Sequence, residues 1–193
     1  MKNYQYNKYC ILILLFFLLN CAQPQSQLPT YDNQASIEEQ KIQNQMFADS
    51  WLKTYVDFAD IGIDILFEAS DLCISEDQIF DLGMDVANRY DAPETIRNEV
   101  NKTLLLSENL KVIALGQKTP AAKIGIKKGD EIISINNNPA PSGTTANIEF
   151  YKLMKKKSST NFDIVVLRDQ QKIELSLTSE KRCRFNYAID LDN

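Results

Sequence analysis

The sequence predicts an α+β fold, in which an N-terminal helical segment precedes a part built of short strands and short helices. Three observations predict it. Residues 37–60 place Ala48, Leu52, Tyr55, Val56 and Ala59 on one face at helical spacing. Residues 162–168 and 172–177 read as strands, and in the second Ile173, Leu175 and Leu177 alternate with Glu174 and Ser176, as in a sheet with one solvated face. Residues 119–136 spell a very short helix, a tight turn and a strand. The length of 193 residues suits one domain plus a small helical layer, and 44% hydrophobic residues suffice for a sizeable core.

The N-terminus reads as an address. Lys2 and Lys8 form a positive region before the apolar run Cys10–Leu19. A membrane-spanning helix needs about twenty apolar residues, so this run is the core of a signal peptide. The following Leu18-Leu19-Asn20-Cys21 resembles a lipobox, which implies cleavage before Cys21 and lipidation of that cysteine. Asn20 departs from the small residue usual there, and plain secretion with cleavage near Ala22 is the alternative. Acyl chains contribute about 0.8 kcal/mol per buried methylene, so several anchor firmly. Residues 22–36, rich in Gln, Pro and Ser, read as a flexible tether. The expected location is the bacterial envelope, facing the periplasm. Ala22 after the cysteine points to the outer rather than the inner membrane.

Charge and composition exclude several functions. The net charge of −5 argues against a nucleic-acid partner. Loss of residues 1–20 leaves 19 basic against 26 acidic residues, or −7. The cluster Lys152, Lys155, Lys156 and Lys157 reads as a solvated helix end favoured by the helix dipole. The chain has no histidine, which removes Ser-His-Asp and Cys-His catalysis and every imidazole-based zinc site. No catalytic residue, metal or cofactor is expected. Of the four cysteines, Cys10 leaves with the signal and Cys21 takes the lipid; Cys73 and Cys183 remain. An oxidising compartment favours their disulfide over two buried thiols.

Along the folded part, Ile61, Ile63 and Ile65 fit a strand, whereas Ile61, Ile65 and Ala69 fit a helix. Asp91-Ala92-Pro93-Glu94 has capping-box spacing, so a helix is expected over 92–102. Residues 110–115 form a short apolar strand. Pro120 suits the first turn of a helix that Gly125 ends, Gly129-Asp130 turns the chain, and Ile133 and Ile135 face one side of a strand. Asn136–Asn138 tolerate positive φ. A helix over 146–156 follows.

The stretch Thr119–Asn136 (TPAAKIGIKKGDEIISIN) resembles the signature of bacterial PDZ domains, and the resemblance covers roughly residues 100–179. It implies a small, partly open β-barrel or sandwich that carries two helices and packs with the N-terminal helical segment, and an extended peptide, or a protein C-terminus, bound by strand addition beside a helix. On this reading Leu110, Lys111, Val112 and Ile113 present the pairing backbone. The helix from Ala146 forms the other wall, with Ala146 and Phe150 towards the groove, and the loop near 106–109 lies by the peptide carboxylate. Asn137 stands where the family often has glycine.

A looser resemblance links Asp71-Leu72-Cys73 and Cys183-Arg184-Phe185 to PDZ-bearing relatives of HExxH zinc metalloproteases, without their protease domain. The expected organisation is a signal peptide (1–20), an anchor and tether (21–36), a helical segment (37–99), the PDZ domain (100–179) and a C-terminal tail (180–193). The expected function is that of an envelope-anchored peptide-binding lipoprotein, an adaptor for a separate envelope protease or for quality control. The alternative is a shortened, non-catalytic protease relative that works only with a partner or is vestigial.

Overall fold

A computed structural model describes residues 33–154 and 158–184. The signal peptide, Cys21, most of the tether, Lys155–Lys157 and the end of the tail lie outside the described residues. The chain divides into a unit up to Glu38 and a compact unit from Glu39 onward. Of the first, only residues 33–38 are described, as the start of a helix.

Helix α1 spans Asn33–Glu68 and buries Ala48, Leu52, Ala59 and Ile63. This is the face the spacing predicts, and it settles the ambiguous isoleucines: Ile63 is buried, while Ile61 and Ile65 on other faces are 61% and 58% exposed. Ala59 and Ile63 pack on Ala114. Asp60 accepts a hydrogen bond from the Leu115 N–H (2.7 Å) and pairs with Lys128 (2.6 Å). Gly116 permits this approach, because a Cβ there would lie 2.6 Å from the Ile63 Cγ2 atom.

Two short 3₁₀ turns lead into β1 (Gln78–Asp81), which pairs antiparallel with β8 (Glu180–Cys183) in a two-stranded sheet. The Cys73–Cys183 disulfide lies beside it, with the Cα atoms 5.9 Å apart. The residues of 180–183, expected as a tail, are therefore a paired strand.

The main sheet holds β2 (Met84–Ala87), β3 (Lys111–Leu115), β4 (Glu131–Ile135), β6 (Asn161–Arg168) and β7 (Gln171–Thr178) in the order β2-β3-β4-β6-β7, with the short β5 (Asn138–Pro139) on β4. Every pair is antiparallel and the sheet is open, not a closed barrel. It begins at Met84, well before the residue 100 at which the sequence reading starts the domain. Its inner face carries Met84, Val86, Val112, Ile132, Ile164 and Val166, all buried in one core.

The helices follow from local chemistry. Helix α2 spans Arg97–Leu104, later than the capping-box expectation. The Asp91 carboxylate instead accepts the Asn88 N–H (2.7 Å), forming a turn that delays the helix. Lys111 then caps its C-terminus, donating to the Leu104 and Leu105 carbonyls at 2.9 and 2.6 Å. Helix α3 (Pro120–Lys123) and helix α4 (Ala146–Met154) lie where the sequence places them. Asn136 and Asn137 both take positive φ (50° and 62°), the two-residue hairpin geometry asparagine tolerates. Asn136 also accepts the Asp163 N–H at 2.9 Å, tying the turn to β6.

Candidate functional site

A peptide adds to a sheet only where main-chain groups are unpaired. Strand β3 offers no such edge. It pairs with β2 on one side, and on the other the Val112 N–H donates to Asp130 O while its carbonyl accepts the Gly129 N–H. The expectation that Leu110–Ile113 present the pairing backbone is thereby corrected. Leu110 and Val112 are buried core, Lys111 caps α2, and Ile113 faces a cavity on the far side of the sheet.

The edge is β2, and α4 lies against it. Ala146 and Phe150, 0% and 1% exposed, belong to the core rather than to a groove wall. The neighbouring row of α4 meets β2: the Asn147 side-chain amide donates to the Val86 carbonyl (2.7 Å) and the Tyr151 hydroxyl to the Asp85 carboxylate (2.7 Å). These bonds span the space that an added strand would enter.

The two ends of β2 differ. At its C-terminal end, Asn88 donates to Glu108 O (3.2 Å) and Gly143 O (2.6 Å). The loop at 106–109 is thus at this end. At the N-terminal end lies the Leu82-Gly83 link, with Gly83 at φ +80°. Its carbonyls are held: Leu82 O accepts the Ala121 N–H (3.0 Å), and Gly83 O accepts the Gly116 N–H (3.2 Å) and the Thr119 hydroxyl (3.1 Å). A Cβ at Gly83 would lie 2.3 Å from that of Thr119, so only glycine fits.

Beside the β2 edge is a cavity of about 410 Å³ between α1, α2 and the sheet, lined in part by Trp51, Tyr55, Val86, Asp91 and Asn147. Burial, reinforced by Asp85 and Asp91, pushes the Tyr55 hydroxyl up to about 12, so it stays a neutral donor. Burial also raises Asp91, against hydrogen bonds from the Asn88 N–H and the Asn147 side chain. The buried Trp51 indole N–H has no hydrogen-bond partner among the described residues, which leaves a donor in this wall. Among the described residues no group of His, Cys, Asp and Glu could hold a metal ion.

Leu82–Val86, Asn147 and Tyr151 carry only faint marks in the sequence. The available signals were a glycine between apolar residues in Asp81-Leu82-Gly83-Met84 and a polar pair one turn apart on α4.

Among solved structures, the HtrA3 PDZ domain bound to a phage-derived ligand (FGRWV) is similar over 54% of this chain and 88% of its own, at 16% identity and TM-score 0.39. The HtrA-type protease AlgW with decapeptide is similar at 26% identity and TM-score 0.40, over 57% of this chain. This chain spans 31% of that protease chain. No curated protein matches the sequence. The PDZ domain family model matches residues 81–178, a span that takes in the Leu82-Gly83 link, β2 and α4, and this chain therefore belongs to the PDZ domain family.

Proposed function

We propose that this chain is a non-catalytic, envelope-anchored protein that binds extended peptide segments by strand addition at β2, with α4 as the facing wall. One observation carries the reading: β2 is a sheet edge whose Val86 carbonyl accepts the Asn147 side-chain amide of the facing helix α4. Exchange of one amide for a peptide N–H at that carbonyl is nearly balanced, so binding is modest and tolerant of sequence. The lipobox-like Cys21 and the Cys73–Cys183 bridge support an oxidising, membrane-proximal location. An adaptor for a separate envelope protease is the role that joins a binding edge to a chain without histidine.

The test is fluorescence titration of the protein with peptides selected from a random library. In Asn147→Ala the Val86 carbonyl no longer has to give up a protein partner. We expect binding about five-fold tighter, the equivalent of roughly 1 kcal/mol for one exchanged hydrogen bond. Amide resonances of residues 84–87 should shift first on titration. Unchanged affinity, with shifts elsewhere, would remove this edge from the site.

A further inference from the structure

We propose that the end of the groove where a ligand's terminal carboxylate would dock is already filled by the chain's own Asp81, so that the site takes internal stretches of extended chain and is indifferent to a free C-terminus. This rests on strand addition at β2. All strand pairs in the sheet are antiparallel. An added strand of the same sense runs against β2 and brings its C-terminal end to Met84 and the Leu82-Gly83 link.

At that link two consecutive N–H groups converge, a concavity of the kind that captures anions and C-terminal carboxylates. Here both donate to one oxygen of Asp81: Leu82 N lies 2.6 Å and Gly83 N 3.2 Å from Oδ1. The other oxygen, Oδ2, accepts from Arg182 Nε at 2.7 Å. Asp81 and Arg182 are 5% and 7% exposed. Arg182 Nη1 also donates to the carbonyl of Cys183, which the disulfide fixes. The link cannot turn its donors elsewhere, because both of its carbonyls are held by the 116–121 segment.

A peptide carboxylate arriving here competes for occupied donors and meets a buried like charge. Evicting Asp81 would also break its buried ion pair with Arg182. A neutral main chain that continues past the link meets neither obstacle.

The experiment uses the full, oxidised protein and one library-selected peptide in three forms: with a free C-terminal carboxylate, with a C-terminal amide, and extended beyond the contact segment. The three dissociation constants should agree within about two-fold. A carboxylate form bound about ten-fold more tightly overturns the inference while leaving strand addition intact. Failure of every form to bind overturns strand addition and this inference together. In a second arm, Asp81→Ala with Arg182→Met empties the link and removes both members of the buried ion pair together. Should that variant fold, the carboxylate form should gain about five-fold over the amide; continued indifference overturns the role of Asp81. Should it not fold, the wild-type comparison decides.

Discussion

Replacing Cys73 and Cys183 together by alanine should lower the unfolding free energy by about 4 to 5 kcal/mol, among the largest losses available to any change in this chain. The bridge joins residues 110 apart, so the main sheet, from Met84 to Thr178, lies within the loop it closes. In the folded protein the ends are already held by the β1–β8 ladder, where Gln78 faces Cys183 and the Arg184 N–H donates to Asp77 O at 2.7 Å. The cross-link therefore acts mainly by restricting the unfolded chain. Urea melts of oxidised protein and double variant should show the midpoint falling and the slope rising, because the uncrosslinked chain exposes more surface. The melting temperature should drop by roughly 10 to 18 °C. A loss under about 1 kcal/mol would mean that the unfolded chain keeps residues 73 and 183 close without the bond.

The parts of the fold that were legible in the sequence are those fixed by local chemistry. Gly125 and Gly129 take φ of +93° and +94°, and Asn136 and Asn137 take the hairpin conformation, as their residue types imply. The strands β1, β2 and β8 left no such mark. Each is four residues long, and each exists through a partner distant in sequence. Met84–Ala87 shows no alternation, since Met84, Val86 and Ala87 are all buried and the register shifts between Asp85 and Val86. The unpaired edge is hidden in the sequence for a related reason. Residues 110–115 are more apolar than 84–87 because β3 is interior and covered by α1 on its outer face, so apolarity marked the covered strand and not the edge. On α4 the rows Ala146–Phe150 and Asn147–Tyr151 run side by side. The apolar row serves the core, and the polar row meets the strand edge, where Asn147 answers the Val86 carbonyl and Tyr151 the Asp85 carboxylate.

The second large effect is expected at Asp130, the acid of the Gly129-Asp130 turn. Its carboxylate is fully buried and receives three donors: Arg168 Nε at 2.6 Å, Arg168 Nη2 at 2.7 Å and the Lys127 N–H at 2.9 Å. Arg168 Nη2 also donates to Gly125 O at 2.7 Å, so one pair fastens both glycine turns to the end of β6. Asp130→Ala leaves Arg168 half-enclosed without its counter-charge and the Lys127 N–H without an acceptor, and should cost about 3 to 5 kcal/mol. Arg168→Met strands a buried carboxylate and should cost a similar amount. The double variant should lose less than the sum of the two, because it removes the stranded charge that dominates each single loss. Chemical denaturation of the four proteins measures this coupling; losses that add without coupling, or an Asp130→Ala loss below about 1 kcal/mol, would show that the pair does not hold the turns. The effect reaches the β2 edge as well. Ile126 N donates to Ala121 O, and Ala121 N donates to Leu82 O, so a loosened turn releases one of the two clamps on the Leu82-Gly83 link. Amide exchange at Gly83 should therefore quicken in Asp130→Ala more than at Val166 in the middle of β6, which is held by neighbouring strands on both sides.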